Sequence, residues 1–208
     1  MNWLGIEVST RDISLAFLSD SVAVERRVGP APAMAASEAI PRLLARLRSS
    51  VGWRMTDVSA VAVSRGPGSF TGIRMGLAAA RAFGMALRIP TAGVSTLEGL
   101  AQTAGRAGLV VTVLDALRSE VFVAAYRVSA GRLTQALSPS RCAVDQLKGL
   151  ISSRVGSPAT VSWIAGDDES FRALTAAGLW TLLDALFITA AHHEQAGGGP
   201  HRGGDQVD

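Results

Sequence analysis

Residues 64–86 read SRGPGSFTGIRMGLAAARAFGMA. A glycine-rich loop, Gly66 to Gly72, runs directly into a segment that is apolar almost all round. The residues before it, 58–63 (VSAVAV), form the short apolar run of a buried strand. Strand, glycine loop and helix in that order make the setting in which helix N-termini bind anions. The loop is nevertheless not a P-loop. That motif needs a Lys-Ser/Thr pair to reach phosphates and magnesium, and no lysine precedes Lys148. Its glycines are spaced GxGxxxG, which also misses the GxGxxG dinucleotide pattern. Two readings stand. Gly66, Gly68 and Ser69 form a phosphate loop, or the glycines serve tight backbone geometry in a structural turn. The second is favoured.

The helix says more. At about 100° per residue, Gly72, Gly76, Ala79 and Phe83 share one face, and Arg74, Arg81 and Arg88 form a narrow stripe opposite. Ile73, Leu77 and Gly84 flank the stripe on one side, Ala78 and Met85 on the other. A helix open to solvent would be polar over roughly half its circumference. This one keeps apolar surface after one face has packed on a sheet. It is either sandwiched within one molecule or docked on a partner, and docking explains the surplus better. Ile73, Leu77, Ala80 and Gly84 are then the docking residues, with Arg74 and Arg81 at the rim.

Outward from this stretch the chain reads as two similar units. Residues 3–8, 13–18 and 22–28 form an antiparallel meander. A helix follows, with Ser37 as N-cap, Pro41 in its first turn and Ile40, Leu43, Leu44 and Leu47 on its apolar face. Beyond the glycine loop and its helix come a strand at 91–94 and a helix at 96–106. The pattern then restarts. Strands at 109–114 and 121–128 are joined by DALRSE, and a helix at 144–151, a strand at 161–165 and a helix at 169–176 follow. A duplicated α/β architecture is expected, with lobes at 1–102 and 103–193 and an unpacked tail at 194–208.

Composition narrows the class. Of 208 residues, 48% are hydrophobic and only 5% aromatic, so Ala, Val and Leu must build the core. The apolar runs are too short or too interrupted for a membrane span, and MNWLGIEVST lacks the basic start of a signal peptide. The single Cys142 excludes an internal disulfide and a thiolate zinc cluster. A soluble, cytoplasmic protein is expected. Net charge is +3, and all but one of the 20 basic residues are arginine. They are scattered along the sequence, so charge alone does not imply nucleic-acid binding.

Residues 60–101, AVAVSRGPGSFTGIRMGLAAARAFGMALRIPTAGVSTLEGLA, resemble the signature of the bacterial TsaB (YeaZ) family. VLDALRSEVFVAAY (113–126) is similar to a second family block and AGDDESF (165–171) to a third, and the resemblance covers roughly residues 1–180. It implies an α/β, actin-like ATPase (ASKHA) fold of two ribonuclease-H-like lobes with mixed sheets. It further implies a non-catalytic subunit, a pseudoenzyme, in the threonylcarbamoyladenosine modification of tRNA. Such a subunit binds the catalytic paralogue TsaD as a heterodimer, works with the ATPase TsaE, meets tRNA only through the complex, and forms homodimers when alone. The competing reading is an enzyme, either an ASKHA-type ATP-dependent one or the M22-like metallopeptidase of older family labels.

The catalytic paralogue holds its metal with an HxxxH pair; at the matching positions this chain has Thr96 and Leu100, so the resemblance implies no metal site. The adjacent His192 and His193 would point to different sides of any helix. The family's Asp-Thr-Ser-Thr after the first strand is replaced here by Glu7-Val8-Ser9-Thr10, which argues further against ATP hydrolysis by this chain. No cofactor of its own is implied; ATP or ADP is left only the shared interface of the complex. Asp115 is read as capping its turn. Beyond residue 177 the family's usual ending is not matched. Since the tail has five glycines and Val207 as its one large apolar residue, deleting residues 194–208 should leave the melting temperature nearly unchanged. A drop of many degrees in a thermal melt would show that it packs on the fold.

Overall fold

The computed structural model describes residues 1–10, 12–20, 23–28, 36–104, 107–155 and 161–166. The helix expected at 169–176, the two adjacent histidines and the tail lie outside the described residues.

Alternation along the first three strands sets up one half of the molecule. In β1 (Trp3–Glu7), Leu4 and Ile6 turn to one face, as do Leu15 and Phe17 of β2 (Ile13–Leu18). With β3 (Ala23–Val28), β4 (Ala60–Ser64) and β5 (Thr91–Val94) they form a five-stranded sheet in the order β3-β2-β1-β4-β5. The meander is antiparallel, whereas β1–β4 and β4–β5 are parallel. Parallel neighbours need crossovers, and α1 (Ala36–Val51) and α2 (Phe70–Leu87) supply them. Both cover the face carrying Leu4, Ile6, Leu15, Val61 and Val63, which Ile40, Leu43 and Leu47 of α1 and Ala80 of α2 complete. Trp53 stacks on Phe17 beneath, with ring centroids 4.8 Å apart. The opposite face of the sheet carries small residues: Gly5, Ala16 and Ala62 line a cavity there with Ser14 and Ser64.

The second half repeats the topology with one strand fewer. β6 (Gly108–Asp115), β7 (Glu120–Ser129), β8 (Arg132–Ala143) and β9 (Val161–Ala165) are ordered β8-β7-β6-β9, antiparallel except for the β6–β9 pair. Here both faces are covered. Val111, Val113, Val121 and Val123 pack under α4 (Leu147–Val155), while Val110, Leu114 and Ala124 pack under α3 (Thr96–Gln102). Helix α3 therefore lies between the sheets, and its buried face, Leu97 and Ala101, belongs to the second.

Several local expectations are corrected. Helix α1 begins at Ala36, so Ser37 is inside it instead of capping it, and Pro41 stands in its interior. Helix α3 ends at Gln102, short of 106, and α4 starts at Leu147 after a 3-10 turn at Val144–Gln146. Strand β8 was not expected. Its Pro139 and polar run suit an edge strand, where a missing N–H faces outward.

Two contacts tie these parts together. The end of β1 lies flat against the start of α2: a Cβ on Gly68 would fall 2.1 Å from the Ser9 carbonyl oxygen, and one on Gly72 2.0 Å from that of Val8. A Cβ on Gly76 would meet the Val8 side chain at 2.3 Å. Across the other junction, Tyr126 of β7 is 3% exposed beside α3. Burial pushes its phenol above the ordinary 10.0; the hydrogen bond with Ser95 works the other way, Glu98 raises it again and Arg65 lowers it.

Gly72→Ala should thus destabilise the protein by about 1–3 kcal/mol, since backbone must move to admit the methyl group. Gly149→Ala in α4, where nothing lies within 4 Å, should stabilise it by about 0.5–1 kcal/mol. Equal effects of the two in urea melts would overturn this account of the glycines. Tyr126 is the sole tyrosine, so absorbance at the phenolate band reads it alone. It should titrate above 10.0 in the folded protein. The folded state then keeps a proton that the unfolded chain gives up, so this contribution is intact below the unfolded value and is lost as pH rises through the folded one. Tyr126→Phe should flatten that alkaline decline.

Candidate functional site

Helix α2 is capped at both ends by its own sequence. The Ser69 hydroxyl accepts from the Gly72 N–H at 3.2 Å, and Arg88 closes the far end in the left-handed region (φ 55°), while the Ile89 N–H donates to the Gly84 carbonyl. The Ser69 N–H itself donates to the Ser9 carbonyl at 2.7 Å. Gly76, Ala80 and Phe83 turn to the sheet, which leaves the opposite face in water.

That outer face differs from expectation in its membership. Arg74, Leu77 and Arg81 are exposed as expected. Ala80 is not: it is 2% exposed within the first core, so its assignment to the docking surface is corrected. Gly84 is half-buried, and a Cβ there would fall 2.6 Å from the Thr91 side chain, so it serves the approach of α2 to β5. Ile73 is half-buried beside Gly66. Their places are taken by Phe70 and Met85, 73% and 71% exposed, with Leu77 at 41% between them. Phe70 is the first residue of α2, where the glycine-rich loop and the helix overlap in sequence, and the pattern alone leaves it in the loop. Its spacing of four from Arg74 was the available signal, and the Arg74 guanidinium carbon indeed lies 5.4 Å from the Phe70 ring centre. Apolar and arginine side chains are therefore interleaved on one face, with no separate rim.

The cleft between the sheets is a second candidate, a cavity of about 390 Å³ under the small-residue face of the first sheet. Glu7, Thr10, Asp12, Ser95, Thr96 and Leu100 are among the residues that line it. A hydrogen-bond chain crosses its wall. The Thr96 hydroxyl donates to the Ser9 hydroxyl at 2.8 Å, and Ser9 in turn donates from both its N–H and its hydroxyl to one Glu7 carboxylate oxygen. Ser9 and Thr96 are buried, and Thr10 donates to the Asp12 carbonyl at 3.1 Å. Thr96 and Leu100, one turn apart on α3, face this cavity together. At the mouth of the second hairpin, Asp115 accepts from the Leu117 N–H at 3.1 Å, the turn-capping role expected of it.

This arrangement does not fit a nucleotide's phosphates. The Ser69 and Gly72 N–H groups are used by Ser9 and Ser69, and the glycines at 68 and 72 make room for β1 instead of a ligand. Among the described residues the cavity lining holds the carboxylates of Glu7, Asp12 and Glu25 and no Lys, Arg or His. Among the described residues no group of three or more His, Cys, Asp or Glu side chains is placed to hold a metal ion, and no helix is long and apolar enough to cross a membrane.

Comparison with known proteins gives this geometry its context. A family model described as "TsaD: tRNA N6-adenosine threonylcarbamoyltransferase" matches residues 17–190. The tRNA threonylcarbamoyladenosine biosynthesis protein TsaB of Escherichia coli is 35% identical over 61% of this chain, and that of Bacillus subtilis 31% identical over 65%. The matched stretches span little more than half of those relatives, 55% and 59%. Among solved structures, YeaZ from Pseudomonas aeruginosa superposes with a TM-score of 0.68 at 24% identity, covering 87% of this chain and 92% of that one. Component A of the (R)-2-hydroxyglutaryl-CoA dehydratase of Acidaminococcus fermentans shares the fold at a TM-score of 0.54 and 12% identity, covering 90% and 92%. Two mixed sheets with the same hairpin-then-parallel order agree with the two-lobed actin-like fold. The chain belongs to the TsaD family, as a protein of its TsaB/YeaZ kind.

Proposed function

We propose that this chain is a non-catalytic subunit that binds the TsaD transferase and supports it in tRNA threonylcarbamoyladenosine biosynthesis, with α2 at the centre of the contact. The observation that carries the reading is the trio Phe70, Leu77 and Met85, held in water on a helix whose other face is fully seated on its sheet. Removing a side chain of that size from water stabilises by about 1.5–3 kcal/mol, and a few such anchors dominate most interfaces. Helix α1 lies alongside α2 on the same sheet, so a partner of matching fold can set its own helix pair against this one.

The reading gives the cleft no chemistry of its own. Its Glu7 carboxylate accepts twice from Ser9, and the face of α3 turned toward it presents a threonine hydroxyl already donated and a leucine. An ATP-dependent or peptidase activity would have to draw its electrophile or nucleophile from elsewhere. TsaE and tRNA enter this reading only through the assembled complex.

Leu77→Glu and Met85→Glu should each weaken binding to the same organism's TsaD by well over tenfold in calorimetry while circular dichroism stays that of the parent. A folded Leu77→Glu variant with unchanged affinity would remove α2 from the interface. The purified chain should show ATP hydrolysis and peptidase activity no higher than a buffer blank. Turnover that disappears in Glu7→Ala would overturn the non-catalytic reading.

A further inference from the structure

We propose that the groove between α1 and the edge strand β3 binds the ribose–phosphate backbone of RNA, with Arg26 and Arg46 on a phosphate and Ser49 and Ser50 accepting from a ribose hydroxyl. The groove is separate from the outer face of α2. Only the choice of tRNA as the RNA rests on the proposed function.

Strand β3 ends the first sheet, and α1 packs over it and β2, while α2 packs over β4, β1 and β5. Val24 of β3 joins the first core, so the alternation of the strand turns Arg26 to the same side, toward α1. Leu43 and Leu47 of α1 also point into that core, and Ala45, Arg46, Ser49 and Ser50 stand outside it. These four and Arg26 line a groove of about 440 Å³. Arg26 is partly buried, and its guanidinium donates to the Glu25 carbonyl at 2.9 Å, which holds it in place; Arg46 is exposed.

Two guanidiniums on one groove repel each other, and an arginine cannot relieve the crowding by losing its proton. The acids that could offset them are turned elsewhere. Residues 21–54 hold six arginines and two acids, Glu25 and Glu38. Glu25 lines the cleft cavity on the opposite face of the sheet. Glu38 sits in the first turn of α1, about 12 Å along the helix axis from Arg46. Asp20 pairs with the amino terminus and Asp57 with Arg54. Among the described residues no carboxylate pairs with Arg26 or Arg46. An anion completes such a pair, and the planar fork of arginine matches phosphate oxygens.

The serines narrow the choice of anion. The Ser49 hydroxyl donates to the Ala45 carbonyl at 3.0 Å and the Ser50 hydroxyl to the Arg46 carbonyl at 2.8 Å. Each hydroxyl has one proton, committed here to the helix, so what it offers a ligand is lone pairs. Lone pairs oppose a bare phosphate ion but accept from a hydroxyl beside it. A ribose–phosphate unit brings both parts, anionic oxygens for the arginines and a 2′-hydroxyl to donate. An acidic protein segment fits less well, since Ala45 is the one apolar residue of the described lining and offers no pocket for an anchor. The described lining also has no aromatic side chain on which a base could stack, so the contact reads backbone and leaves sequence unread.

The test has two arms. In the first, the arginine side-chain N–H resonances of the full chain are followed by NMR as a short RNA duplex, a DNA duplex of the same sequence and inorganic phosphate are each added. RNA should shift the Arg26 and Arg46 signals, and DNA should need a several-fold higher concentration. Ser49→Ala/Ser50→Ala should close that gap between RNA and DNA. In the second arm, the assembly with TsaD of the same organism is titrated with labelled tRNA at several salt concentrations. Arg26→Gln/Arg46→Gln should weaken tRNA binding about tenfold and reduce the salt slope by about one, while affinity for TsaD stays that of the parent. Arg26 and Arg46 signals unmoved by RNA, or shifted as fully by inorganic phosphate or DNA as by RNA, would overturn the proposal. So would tRNA affinity unchanged in the arginine variant, or a loss of TsaD binding there, which would make the groove a protein contact. Failure of the docking reading shows separately, as a Leu77→Glu chain that still assembles with TsaD, and the resonances of the chain alone decide the groove in either case.

Discussion

The carbonyl oxygens of Val8 and Ser9 occupy the space in which side chains at positions 72 and 68 would begin. This close approach of one strand end to one helix start governs the first lobe. It allows the Ser69 N–H to reach the Ser9 carbonyl and places the Val8 side chain against Gly76. Helix α2 is thereby set low on the sheet, with Ala80 and Phe83 continuing the same inner face. A bulkier residue at 68 or 72 would lift the helix and open the core beneath it. The glycines that resemble a phosphate cradle thus serve the packing of backbone on backbone.

Seating α2 on small residues has a consequence for its other side. A helix packed through glycine and alanine needs little of its circumference for the sheet, and the remainder is free to carry something else. Here it carries Phe70, Leu77 and Met85 interleaved with Arg74 and Arg81. Large apolar groups in water oppose solubility, and charges between them restore it, so the isolated protein tolerates the surface. On the docking reading, a partner has to answer both the apolar and the charged groups. The depth at which the helix sits decides how much of its circumference stays in water, and the sequence decides what fills it.

How much of this was legible follows the strength of the local pattern. Both hairpin-led units, the glycine turn and the arginine stripe could be read, because alternation, glycine spacing and a seven-residue repeat are written in single elements. Strand β8 could not, since an edge strand exposed along much of its length shows no alternation and its Pro139 reads as a break. Ala80 and Gly84 were assigned outward because an ideal helical projection does not say how wide the buried face is. The breadth depends on Thr91 of β5 approaching Gly84 and on the core closing over Ala80, contacts distant in sequence. Phe70 was lost at a boundary, where loop and helix compete for the same residues. The Ser9–Thr96 hydrogen bond joins positions 87 apart and left no signal in either neighbourhood.

The two lobes repeat a topology but have divided its uses. The second sheet is covered on both faces, by α3 and α4, and its cores hold valines and leucines with Tyr126 at the edge toward Ser95. The first sheet is covered by helices on one face and backed by small residues on the other, where the cavity lies. Helix α3 spans the difference: Leu97 and Ala101 are fixed in the second lobe, while Thr96 reaches the Ser9 hydroxyl of the first. Ser9 is therefore held from both sides, since its carbonyl also accepts the hydrogen bond from the Ser69 N–H at the start of α2. The cleft wall and the inner side of the first turns of α2 meet at the same strand end. Thr96, Ser9 and Ser69 thus form one hydrogen-bonded connection between α3 at the cleft wall and the first turn of α2.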